Sequence, residues 1–482
     1  MTDMSTDTGF DFVIRGGEIV TAQARFSGDI AIRDGRIAAL GSGLTGGRRE
    51  IDASGLLVMP GGVDTHCHIE QLSGAGIMNA DTFETATRSA AFGGTTTTVS
   101  FAAQHPGMSL AKVMADYTVL ADRGALIDHA YHIIVADISG KNLDELAGQM
   151  RAGHRSAKIF TTYDKVRLDD LSILKVLDTA RDNGALVCFH AENDGLIRWS
   201  VEKLLAAGLT APRYHAPSHP RLAELEALER MCRFAEATGQ PVMLFHISTR
   251  EGVEIVRAAR GRGAPVFAET CPHYLFMTEE ALDQPGMAGA AVMCSPPQRQ
   301  PADQEALWAG LQRSDLQLVT SDHAPYRMDA SGKFANGETV PFNRIANGLP
   351  GLEVRLPLMF DAMVSKGRLG PEKFVEVTST APARLFGLTG KGRLDPGADA
   401  DVVLWDPAAR RVFGTNDLHD NCGYNPFAGR EVVGWPKTVI ARGEVIVDDG
   451  QLFGTPGRGR RVVMDVSPAM RPVAPATWTP KA

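Results

Sequence analysis

From Met59 to about residue 391 the chain alternates short, apolar, β-branched runs with amphipathic helical stretches. That alternation restricts the fold to a parallel sheet whose strands are joined by helical crossovers. Eight runs are visible: LLVMPGGVDTHCH (its start shared with a preceding strand), TTTTVSFA, DHAYHIIVAD, SAKIFTTY, ALVCFHAE, PVMLFHIS, APVFAETC and LQLVTSDHA. LAELEALERMCRFAEATG is the clearest intervening helix; its period places Leu222, Leu225, Leu228, Met231, Cys232 and Ala235 on one face and stops at Gly239. Eight strand–helix units predict a (β/α)8 barrel.

The flanks follow another rule. DFVIRGGEIV, GDIAIRDGRIAALG and REIDASGLLVM near the start, and GADADVVLWDP, PKTVIARGEVIVDDG and RRVVM near the end, alternate apolar and polar residues between Gly-rich turns. Each flank is marginal as an independent sheet, so the two are expected to pack as one unit. The expected fold class is α/β: a (β/α)8 TIM barrel with a discontinuous β-sandwich domain built from both chain ends. Its parts are residues 1–58 and 392–465 for the sandwich, 59–391 for the barrel, and 466–482 as an extended Pro-rich tail.

Charge and cysteine usage exclude some partners. Lys+Arg 49 against Asp+Glu 57 leaves a net charge of −8, which argues against nucleic acid or an anionic membrane surface as a partner. No apolar run approaches a membrane span, and the first residues lack the basic and apolar regions of a secretory signal. Six unclustered cysteines point to reduced core residues and a cytoplasmic setting. A chain of 482 residues needs no metal merely to fold.

Barrel enzymes carry their chemistry at the C-terminal ends of the strands. His66 and His68 end the first run, Lys158 lies in the fourth with Tyr163 after it, and His190, His246 and Asp322 end the fifth, sixth and eighth. His66 and His68, at i and i+2, share one face of a strand, and Cys67 points the other way. Any one of these histidines alone is an ordinary buried residue. Four of them with a carboxylate on one rim make a metal site, with donors suited to Zn, and Mn or Co left open. Lys158 beside cations would lose its proton, and a neutral amine can take up carbon dioxide as an anionic carbamate.

GGVDTHCHIE, SAKIFTTY, CFHAEN, FHIST and TSDHAP, in this order, resemble the amidohydrolase superfamily, and more narrowly its dihydropyrimidinase/hydantoinase branch of cyclic amidases. AAFGGTTTTVSFA, ETCPHYLFMT, CSPP, IANGLPGLE and GADADVVLWDP extend the resemblance to about residue 450. It implies a hydrolase that opens the amide bond of a cyclic ureide or imide with a hydroxide bridging two divalent metal ions. His66, His68, Lys158 as N6-carboxylysine and Asp322 would hold one ion, and Lys158, His190 and His246 the other. Asp322 would move the proton, and Tyr163 would stabilise the oxyanion. Ser295 and Asn347 match positions whose backbone groups bind the CO–NH–CO unit of the ring. His273 and His323 are read as supporting residues near the rim, and Cys67 and Cys271 as packing. Relatives of this kind are commonly tetramers, so a homo-oligomer, tetramer or dimer, is expected.

One departure narrows the substrate. Sister branches for dihydroorotate and allantoin usually carry an arginine shortly after H-x-H, to hold a carboxylate or ureide; here Ile69, Glu70, Gln71 and Leu72 follow. A neutral ring is expected, in a pocket made apolar by Leu72, Ile77 and Met78. Two alternatives remain within the same barrel: a cyclic imide hydrolase as the main activity, and a non-catalytic assembly homologue, which would have lost several of these ligands. A mononuclear deaminase leaves Lys158 without a role.

Overall fold

The structure, a computed structural model, describes residues 9–476. The last six residues of the expected tail, 477–482, lie outside the described residues.

The first strands are β1 (Phe10–Val20), β2 (Arg25–Arg33), β3 (Arg36–Gly41), β4 (Gly47–Asp52) and β5 (Leu57–Pro60). Then follow β6 (Gly62–Cys67), β7 (Thr95–Ala103), β8 (Asp128–Ile134), β9 (Ser156–Phe160), β10 (Leu186–His190), β11 (Val242–Leu244), β12 (Val266–Thr270) and β13 (Leu318–Val319). Strands β14 (Val402–Val412), β15 (Glu431–Ala441), β16 (Glu444–Asp448) and β17 (Gln451–Leu452) close the chain.

Strands β6 to β13 form one sheet in sequence order, every ladder parallel. Its two edges meet through a bridge between Cys67 and His323, with the His68 amide donating to the His323 carbonyl at 2.7 Å. Across the same seam Ser321 Oγ donates to the His66 carbonyl at 3.1 Å. The expected barrel is present, and its closing seam lies between the strand ends that carry His66, His68 and Asp322.

Helices cover the outside. Thr82, Ser109, Asp169, Asn193 and Thr249 cap five of these helices, each side chain accepting an amide of the first turn, as residues of this type do where four N–H groups lack partners. The Arg221–Thr238 helix ends at Gly239, whose φ of +68° suits glycine. Its buried face differs from the expected one. Ala223, Glu224, Ala227, Leu228, Met231, Cys232 and Ala235 face the barrel, and Leu222 is 64% exposed. Glu224 occupies a core position because it has partners there: Ser248 N–H donates to it at 2.9 Å and Arg299 lies 3.3 Å away. A buried carboxylate is tolerated when it is paired.

The two chain ends build the second domain. Strand order is β17-β16-β15-β14-β5-β1-β2-β3, with β4 beside β1. The N-terminal half meets the C-terminal half where β5 pairs antiparallel with β14. Its core joins Phe12, Ile14, Ile30 and Val58 to Val402, Leu404 and Ile440. The expected seam at residue 58 falls inside β5, which lies wholly in this sheet. The described part of the tail makes a 3₁₀ turn at Pro468–Met470 and then lies against the barrel, where Val473 N–H donates to Gly239 and Ala476 N–H to Glu236. The segment between β14 and β15 reaches back to the barrel rim. There Asn421 N–H donates to Asp81 at 2.8 Å, and the Cys422 thiol contacts the Tyr326 carbonyl.

Candidate active site

At the C-terminal ends of the barrel strands lies a cavity of about 430 Å³, within the range of small-molecule sites. His66, His68, Lys158, Tyr163, His190, His246, Ser295, Asp322 and Asn347 all line it. Every expected site residue therefore faces one space. A hollow of about 450 Å³ near Thr380–Asp395 and the tail has no histidine among its described lining residues.

The ligand atoms of His66, His68 and Asp322 lie within 4.8 Å of one another. His66 Nε2 stands 3.0 Å and His68 Nε2 3.5 Å from Asp322 Oδ1. On the other side of the cavity the His190 and His246 rings are 4.6 Å apart, and the His66 and His246 rings 5.4 Å. Lys158 lies between the two groups in a box of Phe245, Phe160 and Phe101, its Nζ 4.2, 4.9 and 5.5 Å from their ring centres.

Backbone conformation helps aim these groups. Tyr163, His246 and Asp322 all adopt left-handed backbone, with φ of 73°, 42° and 46°. Non-glycine residues adopt it uncommonly, at turns as well as at functional sites. The conformation also shortens the ladders: β11 and β13 stop before His246 and Asp322, so these side chains leave the strand alternation and turn toward the cavity.

Carboxylates and amides behind the rim, which sequence reasoning missed, hold the histidines. Glu269 bonds His66 Nδ1, Gln71 Oε1 lies 2.6 Å from His68 Nδ1, and Glu192 Oε2 lies 2.8 Å from His190 Nε2. Glu192 also reaches His219 Nδ1 at 2.9 Å. Each fixes a ring so that its other nitrogen faces inward. Glu192 stands two residues after His190, a carboxylate at a strand end beside a histidine, whereas Glu269 lies in β12, 203 residues from His66, and carries no such signal.

Burial and charge set the electrostatics. Burial alone would lower His66, but Asp322 and Glu269 outweigh it and raise it to about 9. Burial lowers Lys158 to about 8, although nearby acids oppose this. Burial would raise Asp322, yet His66, His68 and His246 hold it well below the usual carboxylate range. Burial pushes the Tyr163 hydroxyl above its ordinary value, so it stays a donor.

The donor set fits divalent cations. Imidazoles and a carboxylate converge from several strands, and His246 Nδ1 is buried with no hydrogen-bond partner in the protein. His323 plays another part: its Nε2 lies 2.9 Å from Asp81, and its Nδ1 accepts the Gly351 amide at 3.1 Å. His273 and the thiols of Cys67 and Cys271 are fully buried. The apolar wall differs from expectation. Leu72 lines the cavity, Ile77 is buried beneath it, and Met78 is 50% exposed and does not line it. Ser73 and Ile77 pair in a tight turn, the Ser73 amide donating to Ile77, and the turn sets Met78 opposite Leu72 at the solvent-facing end of the loop. No arginine lines the cavity among the described residues.

Residues 57–446 match the Amidohydrolase family. The D-hydantoinase of Streptomyces coelicolor is 41% identical over 455 residues, 93% of this chain and 96% of that protein. The D-hydantoinase of Ralstonia pickettii is 40% identical over 452 residues, 93% of this chain and 98% of that protein. Among solved structures, the dihydropyrimidinase of Brevibacillus agri superposes with a TM-score of 0.91 at 37% identity, covering 94% of this chain and 99% of that one.

Proposed function

This chain belongs to the amidohydrolase family, in its hydantoinase and dihydropyrimidinase group, and from that we propose that it hydrolyses the ring amide bond of a neutral cyclic ureide or imide. The observation that carries the reading is the convergence of His66, His68 and Asp322, with Lys158, His190 and His246, on one cavity.

His66, His68, Asp322 and a carboxylated Lys158 would hold one divalent ion, and Lys158, His190 and His246 a second, zinc by donor type. Such ions supply a nucleophilic oxygen at neutral pH and polarise the scissile carbonyl. The aromatic box around Lys158 favours the neutral amine that carboxylation requires. Asp322, ionised at working pH, accepts the proton of the attacking water at a carboxylate oxygen. It then returns that proton to the ring nitrogen as the C–N bond breaks. The Tyr163 hydroxyl donates to the carbonyl oxygen as charge develops there. Ser295 and Asn347, 3.1 Å apart through Oγ and Nδ2, hold the ring's CO–NH–CO unit.

We further propose that the chain divides close to the expected bounds, 1–58, 59–391 and 392–465 with a tail to 482, the first seam falling after β5 rather than within it, that it assembles as a homotetramer or dimer, and that it works in the cytoplasm. All six cysteines are free and buried, in keeping with a reducing compartment. No described helix is long and apolar enough to cross a membrane.

The test is metal per subunit together with ring opening of dihydrouracil, hydantoin, a 5-substituted hydantoin, succinimide and phthalimide. Protein that carries two ions per subunit and opens none of these rings sinks the proposal.

A further inference from the structure

We propose that Lys333 is a positioning residue for substrate recognition, holding the segment Ile345–Gly348 in the shape that reads the ring. The inference deepens the function proposed above and rests on it.

Lys333 has no exposed surface. Its Nζ donates to the Ala346 carbonyl at 3.0 Å and the Gly348 carbonyl at 2.7 Å, and these backbone oxygens take the place of a carboxylate partner. Burial lowers its pKa to about 8. An amine buried in this way is costly, and residues of this kind are seldom fully buried.

Its partners explain its presence. The two carbonyls flank Asn347, whose Nδ2 donates to Ser295 Oγ and whose Oδ1 is buried with no partner in the protein. The segment is neither helix nor strand, so its carbonyls need donors from elsewhere. A lysine offers three donors from one atom, enough to capture both at once. The other side of the segment is also tied: the Gly348 amide donates to Met293 at 2.9 Å. Gly348 has φ of +134°, and a Cβ there would lie 2.4 Å from the Ala324 carbonyl oxygen. The lysine's own backbone is held in turn, its amide donating to Arg327 at 2.8 Å.

Without the amine, the carbonyls of Ala346 and Gly348 must turn to find other donors, and Asn347 moves with them. The strand-end residues are untouched, since Lys333 makes no hydrogen bond to any of them. Ring binding should weaken while chemistry and metal binding persist.

The experiment compares metal-loaded wild type with Lys333→Met on hydantoin and dihydrouracil. We expect KM to rise about tenfold, in line with two buried acceptors losing their donor. The kcat should stay within about threefold and metal per subunit should not change, because no interaction confined to the transition state is lost. The ratio of KM between five- and six-membered rings should shift. Lys333→Gln, which keeps N–H donors, should give a smaller rise, and it carries the test alone if the Met variant does not fold. With wild type active, an unchanged KM overturns the inference. So does a fall in kcat or in melting temperature with KM unchanged. Metal-loaded wild type that opens neither ring nor any cyclic imide breaks the function proposed above instead.

Discussion

The cavity has two walls of different construction. One is made of strand ends, where three of the histidines each have a second partner behind them: Glu269 behind His66, Gln71 behind His68, Glu192 behind His190. The other is made of irregular segments, among them Gln71–Ala75 and Asn343–Gly348, held by single side chains and a few amides. A strand-end group whose orientation is fixed twice can be placed to within the tolerance that chemistry requires. A loop group fixed once can change without disturbing the reaction centre. The strand wall is therefore where loss of an atom should cost rate, and the loop wall where it should cost selectivity.

The largest effect belongs to the strand wall. Asp322→Asn keeps the shape and removes the proton acceptor, and kcat should fall by about 10²–10⁴-fold. Steady-state kinetics on hydantoin, with circular dichroism to confirm folding, checks this. A variant keeping more than a tenth of wild-type kcat removes Asp322 from proton transfer.

Tyr163→Phe tests a group on the border between the walls. Its backbone is strained at φ 73°, and phenylalanine keeps the ring while losing only the hydroxyl. One oxyanion donor is worth about 10²–10³-fold in kcat. A matching rise in KM with kcat preserved would move Tyr163 from the chemistry to ring binding.

Behind the strand wall, Glu192→Gln should leave the fold intact and loosen the His190 ring. Metal affinity should drop about 10–100-fold, as for other residues that orient metal-binding histidines. A chelator titration followed by metal per subunit reads this directly, without reference to activity. Equal chelator sensitivity in variant and wild type would make the Glu192–His219 pair a packing feature only.

The difference between the walls also governs what the sequence made legible. The strand wall was visible because its residues end apolar runs: His190 closes ALVCFH, and Asp322 follows LQLVTS. The eight-strand order needed only that alternation. Glu192 and Glu269 stand inside the same motifs, but the motifs do not show the pairing: Glu269 meets a histidine 203 residues away, and Glu192 joins His190, two residues before it, to His219, 27 residues on. Period alone favoured Leu222 over Glu224 for the core, since it cannot show that Arg299 and Ser248 wait there. The left-handed backbone at Tyr163, His246 and Asp322 leaves no mark on residue type. Lys333 lies in a segment with no period at all, so nothing short of coordinates could place its amine under Asn347. Of the three apolar residues expected to shape the pocket, the turn at Ser73–Ile77 leaves one in place.

That last point gives the smallest and sharpest comparison, because both residues lie in the same loop. Leu72 lines the cavity at 39% exposure, and Met78 pairs with it through a backbone bridge but, at 50% exposure, does not line it. Leu72→Ala should lower kcat/KM for a hydantoin with a bulky apolar substituent by about tenfold relative to unsubstituted hydantoin, the scale set by a few methylenes in an apolar pocket. Met78→Ala should leave that ratio unchanged. Both variants should keep their metal and their kcat on the unsubstituted ring, since neither touches a strand-end group. If the two substitutions shift the ratio equally, the loop moves as a whole on binding and Met78 turns inward. If Leu72→Ala instead lowers kcat on every ring, the loop wall shares in the chemistry, and the division between the two walls fails at this point.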